Sequence, residues 1–243
     1  MTQPLYDRPD FFTAYSGLRR SVEGLDGAPE WPALRAMLPP LLGQRVADLG
    51  CGFGWFCRWA IDRGAASVLG LDLSERMLER ARADSPPGIT YRIADLAALA
   101  LPAEAFDLVY SSLAIHYVAD GAALFATVRQ ALTPGGRFVF SIEHPIYMAP
   151  THPAWAADGE GRRVWPLDRY LEEGTRVTDW LAAGVTKYHR TMGTTLTALI
   201  RCGFILEHVE EFSPTDAQIA ARPDLAVERD RPMFLLVRCR RDG

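Results

Sequence analysis

The chain predicts an α/β protein built on a mainly parallel β-sheet with helices on both faces, and three observations carry that prediction. Short apolar runs of strand length alternate with segments of helical period from Arg45 to Ile142. This is the rhythm of successive βα units joined by right-handed crossovers. The first apolar run leads into a glycine-rich stretch, Gly50-Cys51-Gly52-Phe53-Gly54, and then into a helix. The length, 243 residues, suffices for one large domain with a full core.

Each element has a local reason. Asp10 to Arg20 and Pro29 to Leu42 read as helices ahead of the sheet, with Pro32 suited to a first helical turn. Strand one is Arg45 to Leu49, followed by a helix from Trp55 to Arg63 that Gly64 can end. Strand two is Val68 to Leu71, and Ser74 is a good N-cap for a helix over Glu75 to Ala83. Strands three, four and five are Thr90 to Ile93, Leu108 to Ser111 and Arg137 to Ile142. A helix over Ala122 to Leu132, closed by Pro134-Gly135, separates the last two.

After strand five the rhythm breaks. His144 to Arg190 is a long insertion holding Trp155, Trp165 and Trp180 together with Tyr147, Tyr170 and Tyr188. Within it Thr175 to Trp180 and Val185 to Tyr188 alternate as strands do, and Ala182-Ala183-Gly184 suits a turn between them. A helix over Thr194 to Cys202 resumes the core with Leu196, Leu199 and Ile200 on one face. Phe204 to Phe212 and Met233 to Cys239 are the last strands. No repeat or low-complexity segment divides the chain. The expected organisation is a single domain over 1–243, with cap helices in 1–43 and a lid in 144–190.

Composition excludes several classes. Net charge is −4, with 49% hydrophobic and 23% charged residues. That is ordinary for a globular protein and argues against nucleic acid as a partner, which calls for a basic surface. Lys187 is the only lysine; a compositional bias accounts for it, and no function is attached. The polar start lacks the apolar segment of a secretory leader, and the apolar runs are strand-sized, so no membrane span is expected. Cys51, Cys57, Cys202 and Cys239 form no C-x-x-C pair, which fits a cytoplasmic location. Five scattered histidines offer no ligand set, so no metal is expected.

The chemistry concentrates where the first two strands end. Gly50 and Gly52 lack a Cβ, so a ligand can approach the main chain closely there. Asp48 stands just before the turn, where a cationic amine fits. Asp72 follows the turn by about twenty residues, the usual distance for a carboxylate that holds ribose hydroxyls. Two successive βα units thus present a nucleoside site. The spacing is D-x-G-x-G-x-G and not the G-x-G-x-x-G of dinucleotide enzymes. Further along stand Ile93-Ala94-Asp95-Leu96, Phe106-Asp107-Leu108-Val109-Tyr110-Ser111-Ser112-Leu113 and Leu132-Thr133-Pro134-Gly135-Gly136-Arg137-Phe138.

This ordered set, spread over roughly Arg45 to Glu143, resembles the class I S-adenosylmethionine-dependent methyltransferases, and most of all their small-molecule, ubiquinone/menaquinone-type group. The resemblance implies a Rossmann-like seven-stranded sheet, mostly parallel, whose antiparallel last strand inserts between five and six. It implies S-adenosyl-L-methionine as methyl donor. Gly50, Cys51 and Gly52 would then line the methionine end through their main chain, with Asp48 near the ammonium. Asp72 would take the ribose hydroxyls, Leu73 would cover the adenine, and Asp95 and Leu96 would hold its other edge. Ser111 and Ser112 would lie below the methionine. Tyr15, in a segment similar to the family's N-terminal cap helix, would meet the cofactor.

By their placement His116, Glu143, His144 and His189 are candidates to move a proton or orient an acceptor. Where enzymes acting on base amino groups carry an Asn/Asp-Pro-Pro-aromatic run, this chain has Ser111-Ser112-Leu113-Ala114. Neither Cys202 nor Cys239 is suitably placed for cytosine C5 chemistry. A small organic acceptor is therefore expected. The competing readings are an NAD(P)-dependent oxidoreductase, which the glycine spacing opposes, and a binding module without chemistry, which the intact motif opposes.

Overall fold

The alternating segments condense into one seven-stranded sheet. The computed structural model describes Gln3 and residues 5–243; residues 1, 2 and 4 of the expected cap lie outside the described residues. Ahead of the sheet stand α1 (Pro9–Ser16), α2 (Arg19–Val22) and α3 (Trp31–Met37). The repeats follow as β1 (Arg45–Leu49), α4 (Trp55–Asp62), β2 (Ser67–Asp72), α5 (Glu75–Ala83) and β3 (Ile89–Ile93). Next come β4 (Phe106–Ser112), α6 (Gly121–Ala131) and β5 (Leu132–Glu143). The insertion contributes α7 (Pro145–Met148), short strands β6 (Ala156–Ala157) and β7 (Arg163–Val164), and a hairpin of β8 (Gly174–Thr178) and β9 (Val185–His189). The chain closes with α8 (Met192–Arg201), β10 (Phe204–Glu211), α9 (Asp216–Ala221) and β11 (Phe234–Arg241).

The sheet order is β10-β11-β5-β4-β1-β2-β3. Pairs among β1 to β5 are parallel, and β11 runs antiparallel between β5 and β10. Because successive side chains of a strand point to opposite faces, each strand feeds two cores. Ala47, Val109, Phe138 and Phe140 pack with Leu124, Phe125 and Val128 of α6 and Leu199 of α8. Their neighbours Val46, Leu108 and Val139 pack on the other face with Trp31 and Leu34 of α3 and Phe56 of α4. Each fully buried Val, Leu or Phe side chain among them contributes about 1.5–3 kcal/mol. A third, smaller cluster joins Leu5 and Phe11 from the N-terminal segment to Val185 of the hairpin.

Departures from the sequence reading have local causes. The expected helix over Asp10 to Arg20 is two helices: the Gly17 N–H bonds back to Ala14, and Leu18 is extended, restarting the chain at α2. The expected helix over Pro29 to Leu42 is only α3. Leu38 precedes Pro39-Pro40, and a residue before proline is pushed out of the helical region; its ψ is 143°. Ile200, placed on the inner face of α8, is 57% exposed; Thr195 and Leu199, four residues apart, point inward instead. β5 begins earlier than read, because the segment between Leu132 and Arg137 bulges out of register with β4 and pairing resumes beyond it. The helix α9 went unread, although Thr215 and Gln218 form a capping box at its start.

Candidate functional site

The parallel pairing of β1, β2 and β4 brings Gly50, Asp72 and Ser112 to one edge of the sheet. The turn after β1 is locked by its backbone: the N–H groups of Gly50 and Cys51 both donate to the Leu71 carbonyl, at 2.7 and 2.9 Å. Gly50 has φ +76°, and a Cβ there would stand 2.3 Å from the Ala114 side chain. Gly52 has φ +51°, and a Cβ there would meet no protein atom within 4 Å. It would project into open space, because Gly52 lines a cavity.

Asp72 ties the two βα units together. Its Oδ2 accepts from the Gly52 N–H at 2.9 Å and its Oδ1 from the Ser74 N–H at 3.0 Å. Each oxygen keeps a further lone pair. Burial raises its pKa, and the two backbone donors work against that rise. Ser74 caps α5 as read from the sequence, its Oγ accepting from Met77 N. That hydroxyl donates in turn to Asp7 at 2.5 Å, which fastens the N-terminal segment to the start of α5.

Asp48 lies beneath the turn, 2% exposed, its Oδ2 accepting from the Cys57 thiol at 3.3 Å. Burial pushes its pKa up to about 7; the thiol opposes this and the charge of Asp72 adds to it. Asp95 caps the turn over Leu96–Ala98 through Ala97 N.

A cavity of about 250 Å³ opens at this edge. Gly50, Gly52, Asp72, Leu73, Asp95 and Leu96 line one part of it, together with Ser112. Tyr6 and Tyr15 of the N-terminal segment, Tyr117, Tyr147 and Trp180 give it aromatic walls. The N-terminal segment and the insertion hairpin hold each other in place: Thr186 N donates to the Gln3 side chain, and Arg8 donates to the Ala183 carbonyl. A smaller cavity of about 90 Å³, lined by Asp48 and Cys51, shares Tyr15, Arg20, Gly50, Gly52 and Ser112 with the first.

The structure sorts the candidate residues. Tyr15, Gly50, Gly52, Asp72, Leu73, Asp95, Leu96, Ser112 and His116 meet at the larger cavity, and Asp48 and Cys51 at the smaller. Ser111 lines neither; its hydroxyl is buried and donates to the Leu49 carbonyl at 2.8 Å, holding β4 to β1. His144 also lies away from both. Its Nδ1 accepts from Ile146 N, capping α7, and its Nε2 pairs with Glu211 at 2.9 Å. His189 is turned to the Tyr170 carbonyl at 2.8 Å. Both are fully buried, and burial lowers their pKa values. Trp180 reaches the cavity, whereas Trp155 and Trp165 pack on the Arg231 guanidinium, which pairs with buried Glu228.

Arg20 and Lys187 are among the residues that went unread. Arg20 lines both cavities and is held by Glu30 at 3.0 and 3.3 Å; nothing in its local sequence singles it out. Glu143, read from the sequence as able to act as a base or orient an acceptor, lines the larger cavity and pairs with Lys187 at 2.5 Å. The signal for Lys187 was present: Val185, Lys187 and His189 alternate on one face of β9, and all three are buried. Among the described residues no group of His, Cys, Asp and Glu could hold a metal ion, and no helix is long and apolar enough to cross a membrane.

Comparison with known proteins adds a family match. Residues 47–140 match the model of a methyltransferase domain. An S-adenosylmethionine-dependent methyltransferase of solved structure from Mesorhizobium loti is 72% identical, spanning 90% of this chain and 100% of its own, with a TM-score of 0.87. A solved chain from Listeria monocytogenes is 39% identical over 90% of this chain and 100% of its own, with a TM-score of 0.84. A malonyl-[acyl-carrier protein] O-methyltransferase of Erwinia pyrifoliae is 35% identical over 127 residues, which is 52% of this chain and 46% of that protein.

Proposed function

The chain belongs to the class I S-adenosylmethionine-dependent methyltransferases, with S-adenosylmethionine as methyl donor, and from that premise we propose that it methylates a small organic acceptor held between the glycine turn and the aromatic walls. Family membership argues against a nicotinamide-dependent oxidoreductase. The residues at the turn fit the donor. Gly52 leaves open the space a side chain would fill, and Asp72 is held by two backbone donors with lone pairs to spare. In this reading Asp72 takes the ribose hydroxyls, Leu73, Asp95 and Leu96 hold the adenine, and the main chain of Gly50 to Gly52 lies along the methionine. Asp48 faces its ammonium, and Arg20 and Tyr15 close that end.

The bound donor supplies a methyl group made electrophilic by its sulfonium. The protein's task is alignment and exclusion of water, a proximity effect worth about 7–11 kcal/mol when fully realised. The N-terminal segment and the 144–190 insertion serve as the cover, with Tyr6, Tyr15, Tyr117, Tyr147 and Trp180 as its inner surface. A flat or apolar acceptor suits such walls. A carboxylate acceptor would call for an unpaired cation, and Arg20 and Lys187 are each already paired with a carboxylate. The four free cysteines, three of them buried, suit a reducing cytoplasm.

The observation that carries this reading is Asp72 held in the wall of an aromatic-lined cavity. Calorimetry with S-adenosylhomocysteine and NAD side by side tests it. The homocysteine compound should bind and NAD should not. Asp72→Ala should weaken binding by about 1.5–3 kcal/mol, the worth of hydrogen bonds to a charged group. Unchanged affinity in a folded variant would refute the ribose assignment. A methylation screen of metabolite extracts with labelled donor would then find the acceptor.

A further inference from the structure

Glu143 ends β5 in the cavity wall, and its surroundings divide its hydrogen-bonding capacity. Oε1 accepts from the Lys187 ammonium at 2.5 Å. Lys187 reaches in from β9, its side chain 3% exposed, with its Nζ 5.0 Å from the centre of the Trp180 ring. Oε2 has no hydrogen-bond partner among the described residues and is not fully buried. The carboxylate thus keeps an oxygen for the cavity.

The Glu143 N–H donates to His116 Nδ1 at 3.4 Å. Burial holds His116 well below its ordinary pKa, with Lys187 and Arg190 acting in the same direction, so the ring is neutral. With Nδ1 accepting, the assigned tautomer carries its proton on Nε2. A buried ion pair is weak evidence for stability, since apolar replacements often do as well. One whose carboxylate lines a ligand cavity points to another use.

We propose that Glu143 is the residue that selects the acceptor, taking at Oε2 a hydrogen bond from the O–H or N–H group to be methylated, while His116 Nε2–H donates to an adjacent oxygen or nitrogen. The acceptor class is a neutral, flat molecule with a donor beside a hydrogen-bond acceptor, and Lys187 positions Glu143 for it. This rests on the methyltransferase reading of the cavity.

Catechol, guaiacol and veratrole test it, because they share one ring and carry two, one and no donors. Each is titrated into the protein saturated with S-adenosylhomocysteine, and binding is followed by saturation-transfer NMR. Catechol should bind about tenfold or more tightly than veratrole, as loss of a hydrogen bond to a charged group demands. The double variant Glu143→Leu/Lys187→Met removes the pair without stranding a charge. It should bind S-adenosylhomocysteine as the wild type does and lose the preference for catechol. Glu143→Gln should admit benzoate, which the wild-type carboxylate repels. The proposal falls if the wild type binds none of the three ring compounds or does not rank them. It falls equally if the double variant still ranks them, or if benzoate binds wild type and Glu143→Gln alike. Failure of S-adenosylhomocysteine to bind the wild type would instead sink the cofactor reading beneath it.

Discussion

Asp48→Asn isolates the cost of the carboxyl buried beneath the glycine turn. Asp48 is 2% exposed, and burial is the main reason its pKa stands at about 7 in place of the ordinary 3.8. The gap between 3.8 and about 7, at about 1.4 kcal/mol per pH unit, comes to about 4 kcal/mol. The folded chain holds this proton more tightly than the unfolded chain. The stability attached to it is therefore complete below about pH 3.8, declines as the pH rises, and is gone above about pH 7. Asparagine fills the same space, can accept from the Cys57 thiol and carries no such proton. Urea denaturation of the ligand-free proteins should show wild type losing about 3 kcal/mol relative to the variant between pH 5 and pH 8. A ligand ammonium beside Asp48 favours the ionised form. Binding of S-adenosylhomocysteine should thus release a proton at about pH 6.5 and tighten as the pH rises through about 7. Calorimetry in buffers of different ionisation enthalpy reads that proton. The variant should bind more weakly and release none. Parallel stability curves for the two proteins would refute the displaced pKa. Equal affinity would refute the ammonium assignment.

Gly52→Val should leave a folded core and abolish cofactor binding, since its side chain would project into the cavity from a backbone at φ +51°; a normal titration would make the turn merely structural. Arg231→Met should cost about 3–5 kcal/mol by stranding Glu228, whereas Arg231→Met/Glu228→Leu should regain most of it in thermal unfolding. Hydrogen exchange with S-adenosylhomocysteine should protect residues 5–18 and 174–189 together, because Gln3, Arg8 and Phe11 join the two. Exchange in the insertion that ignores the ligand would count against its role as a cover.

Much of this protein was legible because its signals are local. The order of β1 to β5, the Ser74 cap and the glycine turn depend on period, capping chemistry and absent Cβ atoms, all of which act over a few residues. The residues of the turn and of the second and third strand ends could be placed at one edge, because parallel strands with crossovers deliver their carboxyl ends to the same side. The histidines could not be sorted this way. His116, His144 and His189 follow strands alike, yet one lines the cavity, one caps α7 and one holds a loop carbonyl. Ser111 and Ser112 are adjacent, and alternation along β4 turns one hydroxyl to the Leu49 carbonyl and leaves the other at the cavity. The pairing of Lys187 with Glu143, 44 residues away, and the approach of Tyr15 to Trp180 depend on how the insertion and the N-terminal segment pack across the sheet edge. Such contacts follow from burying large aromatic side chains between separate elements. That energy belongs to the assembled fold and has no period for a single stretch of chain to display.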